Sequence, residues 1–433
     1  MMERPNFESG QKLHTQEQEN TKDFLSTENI LRLSPGETAD YLVSVEEQGR
    51  LEEFLEGAVG DASLLAQLSY WEKWLEKDQQ KLLESIIEKK REIYPSESES
   101  LPLELEKRFS EDELKLIFNN TKAIQLTYGC SMGCAFCGFD AVKGAREHIP
   151  YSQLANLYKK YGLELSSGVP FLYWASEPSD YASKEGLEDK TYEDVHELAV
   201  HYAGYDPSIT STNLKDQEWM DFMASKRPNS ENSSRRFSVF GMKEPQLVQL
   251  RLRASASVEK AGESGREIEF IGPTPEGKEF HHIKGVGKSF EQQDDIDDIP
   301  KSGIACVDGV LLTPRGIYNL FVVPVSREYP QGVIISPLEK ITDEPVREGD
   351  NLKEVMRRSV IQGTYSHEGA MLKNEEGEYE DFQRYVGTFP KTATIYCKYK
   401  WYHARVDQNG NILTVDERDR YGIRKEKDLE VKD

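Results

Sequence analysis

A strand-like run leads directly into a cysteine cluster in the segment Ala123-Ile124-Gln125-Leu126-Thr127-Tyr128-Gly129-Cys130-Ser131-Met132-Gly133-Cys134-Ala135-Phe136-Cys137-Gly138. The cysteines follow the spacing C-x3-C-x2-C. Three thiolates in one short loop can converge on a single metal centre, and soft sulfur ligands suit iron–sulfur clusters or zinc. The glycines allow the backbone to bend and to point N–H groups at sulfur. The segment therefore predicts a metal site ligated by Cys130, Cys134 and Cys137 at the end of a strand.

Strand-like and helical stretches alternate after the cysteines. The predicted strands cover residues 123–128, 171–175, 208–212 and 236–240, and helical stretches lie between them, the first from about Tyr151 to Tyr161. Thr191 with Asp194 is a candidate cap for the next helix. Such alternation indicates a parallel sheet covered by helices, either open or rolled into a barrel.

The cysteine motif resembles that of the radical S-adenosylmethionine (radical SAM) superfamily, which has this spacing and an aromatic residue before the third cysteine, here Phe136. In that family the motif follows the first strand of a partial barrel. The resemblance implies an α/β fold, a partial (βα)6 TIM-like barrel with a helical N-terminal region and a mixed α+β C-terminal segment. It also implies that Cys130, Cys134 and Cys137 hold three irons of a [4Fe–4S] cluster, whose fourth iron binds S-adenosylmethionine through its amino and carboxylate groups.

Softer matches follow the later strands. Ala175-Ser176-Glu177-Pro178 resembles the family's Gly-Gly-Glu-Pro-like stretch, which implies that Ser176 and Glu177 contact the cofactor's amino group. Thr212-Asn213 resembles a common Thr-Asn pair, although the two residues could equally cap a helix. Ser238 resembles a polar ribose contact, or is an ordinary strand serine. The predicted cofactor site consists of Phe136, Ser176, Glu177, Asn213 and Ser238. Ile268–Gly272 and Phe321–Pro324 are candidates for the fifth and sixth strands.

The activity implied by this resemblance is reductive cleavage of S-adenosylmethionine to a 5′-deoxyadenosyl radical that abstracts hydrogen from a substrate. The reaction requires an external one-electron reductant. A peptide or protein is the preferred substrate class, because long extensions flank the barrel, and a small metabolite is the alternative. A further alternative is a non-enzymatic binding or regulatory protein with a structural zinc site, in which His148 or a distant cysteine is the fourth ligand.

The composition of the chain narrows the classes of partner that it is expected to bind. The chain has 433 residues with 54 basic and 77 acidic side chains, a formal net charge of -23. This charge disfavours binding to nucleic acid and to anionic membranes. No apolar run is long enough for a membrane span, and no signal peptide is recognisable. The cytoplasm is the expected location, since five cysteines, three of them clustered, do not resemble a disulfide framework.

Four segments are predicted along the chain: a disordered acidic tail over residues 1–35, a helical region over 36–122, the barrel over 123–330 and a mixed segment over 331–433. Residues 1–122 carry 27 acidic and 15 basic side chains. Such acidic helices could receive a basic peptide, although a solvated charged face is the commoner meaning of this composition. Asp61 and Ser110 are predicted helix N-caps.

Cys306 and Cys397 lie outside the motif. Two isolated cysteines cannot hold a second cubane cluster, so one cluster per chain is expected. Each is a candidate catalytic thiol, and buried packing is the alternative.

Overall fold

The computed structural model describes residues 24–33, 35–72, 75–93, 100–134, 137–185, 189–225, 233–239, 242–271, 308–323, 329, 331–364, 391–398 and 400–418. Within these ranges, no helix is both long enough and apolar enough to cross a bilayer. The helices are α1 (Thr27–Arg32), α2 (Pro35–Glu47), α3 (Leu51–Val59), α4 (Ala62–Trp71), α5 (Lys77–Ile93), α6 (Leu105–Arg108), α7 (Glu111–Asn119), α8 (Tyr151–Gly168), α9 (Tyr192–Leu198), α10 (Gln217–Met223), α11 (Glu244–Ala261) and α12 (Leu352–Arg357). One π-helical turn, Ala199–Ala203, continues α9.

The strands are short and belong to several sheets. They are β1 (Thr121–Ile124), β2 (Thr127–Tyr128), β3 (Glu147–His148), β4 (Ala182–Ser183), β5 (Lys190–Thr191), β6 (Ile209–Ser211), β7 (Arg235–Ser238), β8 (Glu269–Ile271), β9 (Gly309–Thr313), β10 (Gly316–Val322), β11 (Val333–Pro337), β12 (Val360–Thr364), β13 (Lys391–Cys397), β14 (Lys400–Val406) and β15 (Ile412–Arg418). Among these strands no sheet closes on itself, and the partial barrel stays a prediction.

The helical N-terminal region begins earlier than the sequence predicts. The predicted tail is described only from Phe24, and there Ser26 caps α1, whose Ile30 and Leu31 are buried. A helix with two buried apolar residues is part of a core, so the tail prediction is wrong for this stretch. Residues 1–23 lie outside the described residues.

Local capping signals are confirmed. The Asp61 carboxylate accepts hydrogen bonds from the Ser63 and Leu64 N–H groups at 2.8 and 3.1 Å. Ser110 and Thr191 each begin a helix with a capping box, as predicted. The helix that Asp61 caps, α4, ends at Trp71, and α5 begins at Lys77.

Parallel pairing links the elements around the cysteine loop. β9 lies parallel to β1, and Phe171 forms a parallel bridge to Ala123 on the other side. β6, β7 and β8 form a second parallel set. The candidate fifth strand, Ile268–Gly272, contains β8. The candidate sixth strand, Phe321–Pro324, is wrong, because Phe321 belongs to β10, which runs antiparallel to β9. The strand that pairs in parallel with β1 is β9.

The two faces of the β1–β9–β10–β11 sheet have different partners. Ile124 and Leu312 point into the largest apolar core, together with side chains of α7 and α8. Ala123, Leu311 and Tyr318 pack with Ala66 of α4, and the Tyr318 hydroxyl donates a 2.7 Å hydrogen bond to the Ala66 carbonyl. Helix α4 of the N-terminal region therefore covers one face of this sheet.

The C-terminal segment adds the antiparallel sheet β12–β13–β14–β15. Gly410, at φ +82°, lies in the turn that joins β14 and β15 into a hairpin. A buried ion pair attaches this sheet to the rest, since Lys391 Nζ lies 2.6 Å from Asp308 Oδ2, just before β9. The segments predicted as barrel and C-terminal region thus share a buried contact.

A buried ionic cluster joins three separate parts of the chain. The Arg315 guanidinium, 1% exposed, pairs with Glu72 at the end of α4, Glu84 in α5 and Glu147 in β3 at 2.9, 2.7 and 2.7 Å. Its Cζ lies 3.7 Å from the centre of the Tyr128 ring. Because a buried charge needs partners on every side, these contacts lock the relative positions of α4, α5 and the strands that flank the cysteine loop.

Replacing Arg315 by methionine removes the guanidinium that pairs with the buried carboxylates of this cluster. We expect Arg315→Met to lower the free energy of unfolding by ~3–5 kcal/mol, measured by urea denaturation at neutral pH. Arg405→Met, at an exposed position of β14, is the matched control. A loss at Arg315 no larger than that of the control would contradict a structural role for the cluster.

Candidate functional site

The cysteine loop begins directly after β2 and is closed at its base by backbone hydrogen bonds. The Cys130 N–H donates to the Val142 carbonyl at 2.8 Å, and the Gly144 N–H donates to the Cys130 carbonyl at 2.7 Å. Gly129 adopts φ +81°, and a Cβ on it would lie 2.0 Å from the Gly144 carbonyl oxygen. Glycine is therefore required immediately before the first cysteine.

The three motif cysteines are free, half-buried thiols. Burial raises the pKa of Cys130 to about 11, against the opposing effect of hydrogen bonds from the Met132 and Gly133 N–H groups. Burial also raises the pKa of Cys134. The Cys134 thiol donates to the Thr212 hydroxyl at 3.7 Å, and the Ala141 N–H donates to Cys137 Sγ at 3.5 Å. A metal cation would favour the thiolate forms that burial alone disfavours.

The described residues contain no group of three His, Cys, Asp or Glu side chains already placed around one point, as a metal ion requires. Phe136 and its neighbour Ala135 lie outside the described residues. The donor set nevertheless fits an iron–sulfur cluster in chemistry, because three soft thiols share one loop and backbone N–H groups point at Cys130 and Cys137 sulfur. Zinc is the alternative metal. His148, the predicted fourth zinc ligand, has its Nδ1 atom 3.0 Å from the Thr127 hydroxyl.

Glu177 is the best-organised residue of the predicted cofactor site. Its carboxylate is 3% exposed and accepts hydrogen bonds from the Ser211 hydroxyl and, at 2.8 and 3.0 Å, from the N–H and hydroxyl of Thr212. The Ser179 hydroxyl donates at 3.2 Å. Burial raises the pKa of Glu177, and these donors oppose the rise. A buried carboxylate with this many partners is not an ordinary surface residue at a strand end.

Thr212 connects this carboxylate to the cysteine loop. Its hydroxyl bonds Glu177 and also lies within contact of the Cys134 thiol. Asp180 makes a second connection, accepting from the Ser131 N–H at 2.8 Å and the Ser131 hydroxyl at 2.6 Å. The segment Glu177–Asp180 thus holds the loop in place from outside the motif.

Of the other predicted cofactor contacts, Asn213 and Ser176 lie near Glu177, and Ser238 lies apart from it. The Asn213 side-chain amide donates to the Ser179 hydroxyl at 3.0 Å, so Asn213 belongs to the same cluster. It does not cap the next helix, because Asp216 caps α10. Ser176 is half-buried next to Glu177 in the chain. Ser238 ends β7 opposite Ile271, and nothing joins it to the cysteine loop in the described contacts.

Sequence reasoning missed three residues of this cluster, namely Ser179, Asp180 and Ser211. Ser179 and Asp180 follow Glu177 in a single turn of 3-10 helix, Pro178–Asp180, and this proximity was the available signal. Ser211 ends β6, and no local pattern marks it. Its role depends on a contact with Glu177, which is 34 residues away in the chain.

Two cysteines, Cys306 and Cys397, lie outside the motif. Cys397 is 2% exposed and lies in the apolar core of the C-terminal segment, where burial raises its pKa to about 11. A buried protonated thiol in a separate core matches the packing alternative. Cys306 lies outside the described residues.

No protein-family model matches the chain, and comparison with curated proteins and with solved structures finds no match.

Changing Glu177 to glutamine places an amide nitrogen among hydrogen-bond donors. We expect Glu177→Gln to cost ~1–3 kcal/mol of unfolding free energy. Because the folded-state pKa is raised, the carboxyl contributes stability that is fully present below its unfolded pKa and is lost as pH rises through the folded pKa. The cost should therefore be larger at acid than at alkaline pH in urea titrations. Glu259→Gln, on the exposed surface of α11, is the matched control for the substitution.

Substitutions at Gly129 and Gly144 separate two costs of a side chain before the motif, namely the strain of a left-handed backbone and the steric overlap of the Cβ atom. In Gly129→Ala, the left-handed backbone costs ~1–2 kcal/mol, and overlap with the Gly144 carbonyl adds to this. Gly144→Ala is the matched control, because Gly144 has φ +87° and open space at its Cβ position. Thermal unfolding should show a larger loss for Gly129→Ala, together with faster alkylation of Cys130. Equal losses in the two variants would show that the overlap is relieved without cost.

Proposed function

We propose that this chain is a radical SAM enzyme whose cysteine loop holds a [4Fe–4S] cluster. One observation carries the proposal: the Thr212 hydroxyl bonds the Glu177 carboxylate at 3.0 Å and lies 3.7 Å from the Cys134 thiol. The acidic residue proposed to bind the amino group of S-adenosylmethionine is thus adjacent to a proposed cluster ligand. These two residues are 43 positions apart in the chain and belong to separate motifs.

In this proposal Cys130, Cys134 and Cys137 hold the cluster. When bound and reduced by one electron, the cluster and S-adenosylmethionine together supply a 5′-deoxyadenosyl radical for hydrogen abstraction. The residues of the chain position the cofactor. Three donors to Glu177 are hydroxyl groups, of Ser179, Ser211 and Thr212, which can rotate to other acceptors when an ammonium group takes their place.

Peptides or proteins are the proposed substrate class, and an external one-electron reductant is the proposed partner. The helices that precede the cysteine loop support a large substrate, since α4 packs over the sheet face next to the loop. We also propose a cytoplasmic location. It is supported by the free thiol state of Cys130, Cys134, Cys137 and Cys397, which suits a reducing compartment.

Anaerobic reconstitution with iron and sulfide tests this function. We expect about four irons per wild-type chain and formation of 5′-deoxyadenosine from S-adenosylmethionine with dithionite. Replacing Cys130, Cys134 or Cys137 by alanine should abolish 5′-deoxyadenosine formation and lower the iron content.

Cys397→Ala is the matched control and should retain both properties. Binding of zinc alone, without 5′-deoxyadenosine in any preparation, would overturn the proposal and favour the structural-zinc alternative.

A further inference from the structure

A cavity lies between helix α4 and the cysteine loop. Its lining includes Tyr70 of α4, Tyr318 of β10, Trp174 and the loop segment Phe139–Val142. Helix α4 and the loop segment are tied together through Gln331, which accepts a hydrogen bond from the Tyr70 hydroxyl and donates to the Phe139 carbonyl at 2.7 Å. The cavity is therefore a built part of the contact between the N-terminal helices and the motif.

Aromatic rings dominate the lining. The Phe139 and Trp174 rings meet edge to face with centroids 4.8 Å apart, and the Tyr70 and Tyr318 ring centroids are 6.2 Å apart. Faces of such rings carry partial negative charge and attract cations. The described residues that line the cavity include no Lys, Arg or His, and Asp140 is the acidic residue among them. The described lining residues thus carry one formal negative charge and no positive one.

Ser69 supplies an independent indication of a ligand. Ser69 belongs to the lining of the cavity and is 2% exposed, yet its hydroxyl oxygen has no hydrogen-bond partner within the described structure. A buried hydroxyl without a partner costs free energy that a polar ligand would recover. Asp140 adopts φ +49°, a left-handed backbone conformation that Asp and Asn tolerate better than most residues. The backbone therefore favours Asp or Asn at this position of the lining.

We propose that this cavity binds the cationic end of a lysine or arginine side chain of a peptide substrate, with Asp140 as its counter-ion, Ser69 as a hydrogen-bond acceptor and Trp174 and Tyr70 as its aromatic walls. The peptide source rests on the proposed function. The size agrees, because the cavity holds about 40 Å³, and one water needs roughly 10–15 Å³ by the same measure. That space admits the end of one side chain.

The position of the cavity explains why such a side chain would matter. Gly129, which precedes the first cysteine, and residues 139–142, which follow the third, both belong to its lining. A side chain anchored there would place the adjoining peptide against the cysteine loop. The acidic N-terminal region, with 27 acidic and 15 basic residues in positions 1–122, would attract a basic peptide toward it.

Calorimetric titration of the full chain tests the proposal, with and without a reconstituted cluster. The probes are a capped alanine pentapeptide with one central lysine, its arginine and norleucine counterparts, and free butylammonium. We expect the lysine or arginine peptide to bind wild type about tenfold more tightly than the norleucine peptide. Asp140→Asn keeps the left-handed backbone and should remove this preference. Asp343→Asn, at an exposed position of the C-terminal segment, should keep it.

Ser69→Ala provides a second variant that removes no described hydrogen bond of the hydroxyl, and it should weaken the cationic peptides while sparing the norleucine peptide. Equal affinity for the three peptides, or a preference unchanged in Asp140→Asn, would overturn the cavity assignment. Butylammonium binding as tight as the peptides would overturn the peptide source. These measurements do not require S-adenosylmethionine cleavage, so their failure is separate from absence of 5′-deoxyadenosine, which tests the proposed function.

Discussion

The buried guanidinium of Arg315 is the interaction on which the arrangement around the cysteine loop depends. It meets carboxylates from α4, α5 and β3, and it stacks over Tyr128, the last residue before the Gly129 turn. Arg146, which follows the loop, pairs with two of these carboxylates, Glu72 and, at 2.8 Å, Glu84. A buried charge cluster tolerates little displacement, because moving any partner leaves another charge without compensation. The N-terminal helices and both ends of the loop are therefore positioned together.

A second polar cluster positions the interior of the loop. Glu177 is held by donors from its own turn and from β6, and Thr212 and Asp180 extend the cluster to Cys134 and Ser131. Burial keeps the donors and acceptors paired, since an unsatisfied group there costs free energy. The loop is thus held by two polar clusters, and the cavity lies between the loop and α4.

Local features of the fold were predictable, and pairings between distant segments were not. Asp61, Ser110 and Thr191 were recognised as caps because a cap bonds N–H groups two or three residues away. The packing of α4 against distant strands was not predictable, since Glu72 at the end of α4 bonds Arg315, which lies 243 positions further along. β10 was taken for a parallel strand, because an apolar run does not state its partner or direction.

The sequence by itself determined the identity and spacing of the cysteines, the glycine before them and the choice of Glu177, because each is recorded in a short stretch whose chemistry is local. Only the tertiary structure decided that Thr212 joins Glu177 to Cys134, that Ser211 completes the carboxylate's partners, and that Cys397 lies in a separate core. The same holds for the cavity between Tyr70 and Asp140. These relations join residues tens to hundreds of positions apart, and hydrogen bonding and burial at such separations depend on how the whole chain packs.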